Sequence, residues 1–173
     1  PAVDEIVVVV REDLLVEVGR LCKEFVFDKV TKVVVGGMER IHSVQAGLRE
    51  VRPDAALIAI HDGARPLVSQ EIIRDTVARA AITGAAAPAI PLTDTIKRED
   101  GGLTVETVDR SQLWAVQTPQ VFEAGLIRAA TQKALDDGEV LTDDCGAVER
   151  LGMKVTLTSG SRENLKVTTP LDL

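Results

Sequence analysis

The chain has 173 residues, enough for one domain with a sizeable core, and is 45% hydrophobic but only 2% aromatic. Three Phe, one Trp and no Tyr, with a formal net charge of -7, weigh against base-stacking surfaces and extended phosphate tracking, so no nucleic-acid partner is expected. No apolar run is long enough to span a membrane, no signal-peptide pattern is present, and Cys22 and Cys145 lack metal-ligand spacing. A cytoplasmic protein with two reduced thiols and no membrane partner is expected.

Short apolar runs alternate with amphipathic stretches. Glu5–Val10 reads as a buried strand, Asp13–Phe27 as a helix with Leu14, Leu15, Val18, Leu21 and Cys22 on one face, and Lys32–Val35 as a second strand. Ser43–Val51 follows as a helix capped by Ser43, and Ala56–Ile60 as a third strand. Ser69 caps a helix through Ala81, with Ile72, Ile73, Val77 and Ala80 inward; Gly84 ends it before a fourth strand over Ala85–Leu92. This alternation predicts an α/β fold with a right-handed, mostly parallel sheet.

Beyond Ile96 the pattern changes. Ile96–Glu99 and Leu103–Val108, joined through Asp100-Gly101-Gly102, alternate polar and apolar residues as a hairpin does, and a lone hairpin needs a surface to pack on. A strand at Leu113–Gln117, a helix from about Ala124 to Leu135 and an acidic-capped helix from Thr142 to Leu151 follow. Strands over Met153–Thr158 and Asn164–Val167 close the chain, which reads as one domain over 1–173 with an arm at about 95–113.

In open α/β sheets ligands sit beyond the carboxyl ends of the strands, among loops and helix N-termini. The loops there carry Gly36-Gly37, His61-Asp62-Gly63-Ala64-Arg65-Pro66, Thr93-Asp94-Thr95 and Gln117-Thr118-Pro119-Gln120, and Glu163-Asn164-Leu165-Lys166 comes before the last strand and inside it. Each has a plainer reading. A glycine pair only turns the chain, His61 is more often a hydrogen-bonded structural residue than a base, and Arg110 pairs with Asp109 or Glu106 at a hairpin end. Together, however, they gather cations and hydroxyls without a nucleophile–base pair. That inventory suits phosphoryl or nucleotidyl transfer, where positioning and charge neutralisation carry catalysis.

Val35-Gly36-Gly37 through Arg40 and Ser43-Val44, the His61–Pro66 hexapeptide, Asp94-Thr95-Ile96-Lys97, Gln117-Thr118-Pro119-Gln120-Val121-Phe122, Thr142-Asp143-Asp144 and Glu163-Asn164-Leu165-Lys166-Val167-Thr168 occur in a diagnostic order. In that order they resemble the 2-C-methyl-D-erythritol 4-phosphate cytidylyltransferase family. The resemblance implies a Rossmann-like nucleotidyltransferase fold, helices on both faces of the sheet, and a projecting β-hairpin arm that makes a homodimer. It implies transfer of CMP from CTP to 2-C-methyl-D-erythritol 4-phosphate, with Mg2+, in the non-mevalonate route to isoprenoid precursors.

By the same resemblance Gly36, Gly37, Arg40, Ser43, Gly63 and Ala64 bind the nucleotide, and Asp62 meets the ribose or the metal-bound phosphates. Arg65, Thr95 and Thr118 hold the sugar phosphate, with Arg110 and Lys166 as the catalytic pair. Gly63 is a departure, since the loop more often reads His-Asp-Ala-Ala-Arg-Pro. The family opens with a further strand and a Gly-rich loop bearing Arg and Lys; the present sequence is expected to begin after them and to stop before a terminal helix. Ribitol-5-phosphate cytidylyltransferase, a non-catalytic CTP-binding module and a glycosyltransferase are the alternatives.

Overall fold

A computed structural model describes residues 3–173. Strands β1 (Ile6–Val10) and β2 (Val30–Val35), built from runs of β-branched Val, form a parallel pair in register from Val7↔Lys32 to Val10↔Val35. A 3-10 turn (Glu12–Leu14) leads into helix α1 (Leu15–Glu24), so the helix expected over Asp13–Phe27 is shorter. Val26, at φ 50°, departs from helical backbone just after it. Helix α2 (Arg40–Glu50) starts earlier than expected: Ser43 is not its N-cap but lies inside the helix, and Glu39 occupies the cap position.

The larger sheet contains β3 (Leu57–Ile60) and β4 (Ala85–Pro91), joined through helix α3 (Gln70–Thr83). The Ser69 hydroxyl accepts from the amide of Ile72 at 3.2 Å, and Gly84 at φ 80° ends the helix, both as the sequence suggests. The hairpin strands β5 (Ile96–Asp100) and β6 (Leu103–Val108) pair from Ile96↔Val108 to Asp100↔Leu103. Gly101 and Gly102, at φ 60° and 83°, supply the left-handed backbone that a two-residue turn needs.

Two short strands follow, β7 (Trp114–Val116) and β8 (Gln120–Glu123), the second not foreseen. Helices α4 (Ala124–Asp136) and α5 (Asp144–Arg150) and strand β9 (Thr156–Ser159) complete the order. β8 runs antiparallel to β3 and β4, β7 continues along the same edge of β4, and β9 lies parallel on its other edge. β7 and β8 are thus two halves of one reversed strand, broken at Gln117-Thr118-Pro119.

The fold is α/β with helices on both faces, as read from the sequence, but the "mostly parallel" sheet needs correcting. β3, β4 and β9 share one direction, yet the reversed strand lies between β3 and β4 and makes most ladders of this sheet antiparallel. Asn164–Val167, expected to be a strand, is a loop.

The core follows the period-two alternation of β4. Ala85 and Ala87 join Phe122, Ile127 and Val148 beneath α4 and α5, while Ala86 turns to the other face with Val121 and Ala80 of α3. Arg128 of α4 donates to the carbonyls of Leu48 and Val51, fastening α2 to this body. Among the described residues no helix is long and apolar enough to cross a membrane.

Candidate active site

The loop after β3 places Asp62 among three cations. Its Oδ2 lies 3.0 Å from Lys166 Nζ and 3.8 Å from Arg65 Nε, and its Oδ1 lies 4.0 Å from Arg40 Nη2. The backbone here is fixed by Thr118, whose Oγ1 accepts from the Asp62 amide at 3.0 Å and lies 2.9 Å from His61 Nδ1. His61 Nε2 lies 3.1 Å from the Arg65 carbonyl. Burial holds the His61 pKa below its ordinary value, although the Arg65 carbonyl and Asp62 act the other way.

The Arg65 side chain is largely buried and donates Nη1 to the Asn164 carbonyl at 2.6 Å, and the Val167 amide donates to the Ala64 carbonyl at 2.8 Å. Asp62 and Arg65 of one loop, Thr118 and Lys166, read from three separated places in the sequence, therefore meet. Among the described residues two buried side-chain atoms lack hydrogen-bond partners, Arg65 Nε and Asn164 Oδ1, and both belong to this cluster. Unspent hydrogen-bonding capacity of that kind is costly in a core and typical of sites.

Arg40, the first residue of α2, forms a fork-to-fork pair with Asp144, Nη1 to Oδ1 at 2.9 Å and Nη2 to Oδ2 at 2.5 Å. Burial pushes the Asp144 pKa up against the pull of Arg40; burial also opposes the charge on Arg40, but the Asp144 bond and nearby Asp62 raise its pKa overall. Buried Gln120 sets Asp144 in place. Its Oε1 accepts from the amides of Asp144 and Cys145 at 2.9 and 3.1 Å, and its Nε2 donates to Asp143 at 3.0 Å. Cys145 is buried, with its thiol pKa raised chiefly by desolvation.

The loop between β2 and α2 folds tightly on itself. A Cβ at Gly36 would stand 2.5 Å from Ser43 Oγ, and one at Gly37 would stand 2.3 Å from His42 Cβ, so both glycines are required by packing. Ser43 Oγ accepts from the Gly37 amide at 3.1 Å and lies 3.3 Å from the Glu39 carbonyl. Gly63 is different: nothing lies within 4 Å of where its Cβ would be.

Thr95 and Arg110 stay apart from the cluster, exposed at the foot of the hairpin. Arg110 donates to the Thr93 carbonyl, and Arg162 donates to the Thr93 hydroxyl at 2.9 Å. The plainer partners of Arg110 are occupied otherwise, since Asp109 accepts from Ser111 and Glu106 pairs with Arg98. Among the described residues no group of three or more His, Cys, Asp or Glu is arranged to hold a metal.

The family profile of 2-C-methyl-D-erythritol 4-phosphate cytidylyltransferase matches residues 1–173. The chain belongs to this family. It is 46% identical over 168 residues to the 2-C-methyl-D-erythritol 4-phosphate cytidylyltransferase of Halalkalibacterium halodurans, covering 97% of the chain and 73% of that relative. It is 48% identical over 152 residues to that of Caldanaerobacter subterraneus, covering 87% and 67%. The fold superposes on the crystal structure of the 4-diphosphocytidyl-2C-methyl-D-erythritol synthase of Anaerococcus prevotii with a TM-score of 0.89 and 31% identity, over 98% of this chain and 75% of that one.

Within this cytidylyltransferase fold, Gln117, Gln120, Asp144 and the amide of Asn164 hold the site together, although the sequence motifs that contain them point to no role for these four. Asn164 Nδ2 donates to Gln117 Oε1 at 3.2 Å and to the Thr118 carbonyl at 3.0 Å. The available signal was polarity: Gln120 and Asn164 stand beside apolar neighbours, and buried polar groups have to be spent on partners.

Proposed function

We propose that CMP transfer from CTP to 2-C-methyl-D-erythritol 4-phosphate takes place over the Asp62, Arg65 and Lys166 cluster. One observation carries this reading: a basic cluster at the strand ends, organised around a single carboxylate, on a chain of this family. An oxygen of the sugar phosphate attacks the α-phosphorus of CTP, a new P–O bond forms, and the bond to the diphosphate bridging oxygen breaks. The attacking oxygen is already anionic, so no general base is required. Lys166, half-exposed and paired with Asp62, exchanges that carboxylate for the transferring phosphate. Arg65 has Nη2 left for the acceptor phosphate, since Nη1 is committed to Asn164.

Magnesium fits this donor set in one way. Asp62 would hold the ion through its one carboxylate, with phosphate oxygens and water as the other ligands, as suits an ion that takes few protein ligands. When bound, the ion neutralises charge on the phosphates. Gly36, Gly37, Ser43, Gly63 and Ala64 shape the nucleotide side, with Arg40 held in place by Asp144. The hairpin, with Leu103 and Val105 exposed, serves as the arm of a homodimer that brings Thr95 and Arg110 to the acceptor phosphate. A cytoplasmic location accords with these phosphorylated substrates.

The test is CMP transfer assayed separately with 2-C-methyl-D-erythritol 4-phosphate and ribitol 5-phosphate, following diphosphate release. Faster turnover of the methylerythritol substrate is expected; a clear preference for ribitol 5-phosphate, or no transfer to either, would overturn the reading.

A further inference from the structure

The hydrogen-bond roles around His61 can be fixed by elimination. The Asp62 amide can only donate, so Thr118 Oγ1 accepts from it at 3.0 Å. The Arg65 carbonyl can only accept, so His61 Nε2, 3.1 Å away, carries a hydrogen. In a neutral imidazole Nδ1 is then an acceptor, and at 2.9 Å its donor is the hydroxyl of Thr118. The single proton of Thr118 is thus spent on the histidine.

We infer that His61 is a positioning residue for the acceptor phosphate: it takes up the Thr118 hydroxyl proton and anchors the Arg65 carbonyl, so that Thr118 serves by fixing Asp62 instead of gripping the phosphate. The inference rests on the reading of Arg65 as a ligand of the sugar phosphate. It revises the part that the family resemblance implies for Thr118, and it gives work to a residue that the sequence leaves as structural.

The loop needs such an anchor. Asp62 and Arg65 flank the Gly63-Ala64 pair, where the space beside Gly63 is open and the turn is closed only on its backbone side, by the Arg65 amide on the Asp62 carbonyl at 2.9 Å and the Val167 amide on the Ala64 carbonyl at 2.8 Å. One imidazole spans both ends of that glycine turn, fixing Asp62 through Thr118 on the broken strand and Arg65 directly. Loss of either half lets the Arg65 guanidinium and the Asp62 carboxylate drift from the geometry on which transfer depends.

Two measurements test this, one independent of turnover. The 15N shifts of His61 in the substrate-free protein near neutral pH are expected to report the neutral tautomer protonated at Nε2; an Nδ1–H tautomer would overturn the inference. The second is a double-mutant cycle of His61→Ala and Thr118→Val in steady-state kinetics. Each variant is expected to raise KM for the sugar phosphate about tenfold, the scale of one lost hydrogen bond, with KM for CTP changed by less than about threefold. The double variant is expected to be no worse than the worse single, because both remove one relay. Multiplying effects would mean that Thr118 grips the phosphate on its own, and equal damage to both substrates would make His61 merely structural; either overturns the inference. His61→Asn, which keeps an acceptor near the Nδ1 position, is expected to recover much of the loss, and it stands in should His61→Ala not fold. If the unaltered protein transferred no CMP, the proposed function would fail, and the tautomer would still judge the inference.

Discussion

Lys166 Nζ and Asp62 Oδ2 stand 3.0 Å apart although they come from opposite halves of the chain. Thr118 Oγ1 accepts from the amide of the same aspartate, so three distant segments close on one residue. The lysine side chain is 45% exposed, which makes the pair worth little to stability. Its value lies in holding a cation where a phosphate oxygen can compete for it. Lys166→Ala is therefore expected to lower kcat/KM by about 10²–10³, while unfolding free energy changes by less than about 1 kcal/mol. Steady-state kinetics with urea denaturation would check this, and near-normal turnover would remove Lys166 from the chemistry.

Arg110 is held to the Thr93 carbonyl at the hairpin foot, and among the described residues no hydrogen bond or ion pair joins it to the Asp62 cluster. If the homodimer arm carries it to the acceptor phosphate, Arg110→Ala should mainly raise KM for the sugar phosphate and leave CTP binding intact. Separate titrations of the two substrates decide the matter; equal weakening of both would assign Arg110 to the hairpin's structure.

The Arg40–Asp144 pair gives a pH-dependent expectation. The Asp144 side chain is 6% exposed, so Arg40→Ala would leave a buried carboxylate without its cation, costing roughly 3 kcal/mol near neutral pH. Burial already raises the Asp144 pKa, and losing Arg40 raises it further. A carboxyl raised in the folded state contributes stability that is fully present below its unfolded pKa and lost as pH rises through the folded one. The penalty of Arg40→Ala should accordingly shrink as pH falls into the acid range. Urea denaturation of both proteins at mildly acidic and neutral pH measures it, and an equal penalty at both would contradict the account.

Glycines of two kinds should separate cleanly. Gly63→Ala meets no atom within 4 Å, so a gain of about 0.4–1 kcal/mol is expected from the stiffer unfolded chain. Gly37→Ala would place its Cβ 2.3 Å from that of His42 and should destabilise the β2–α2 turn. Melting temperatures of the two variants should move in opposite directions.

Much of this was legible in the sequence, for physical reasons that differ from place to place. The Ala-rich run of β4, the Ser69 cap with Gly84, and the Gly101-Gly102 turn are local signals, and all three hold. The reversed strand was half hidden because its parts are short and separated by Gln117-Thr118-Pro119, so no period could develop. Ser43 misled as a cap: its hydroxyl is spent on the Gly37 amide from within the helix. Asn164–Val167 reads as a strand by composition, but the buried Asn164 amide is committed to Gln117 and Thr118, which holds the segment as a loop. Asp62, Arg65, Thr118 and Lys166 were visible as polar residues following apolar runs. The link from Arg40 through Asp144 to Gln120 was not, because pairing across such separations leaves no local pattern.

The most direct measurement is a crystal structure of the protein with CTP and 2-C-methyl-D-erythritol 4-phosphate bound. The account expects oxygens of the two phosphate groups within hydrogen-bond distance of Arg65 and Lys166, with Lys166 drawn away from Asp62. A sugar phosphate seated elsewhere, with the Lys166–Asp62 contact unchanged at 3.0 Å, would contradict it.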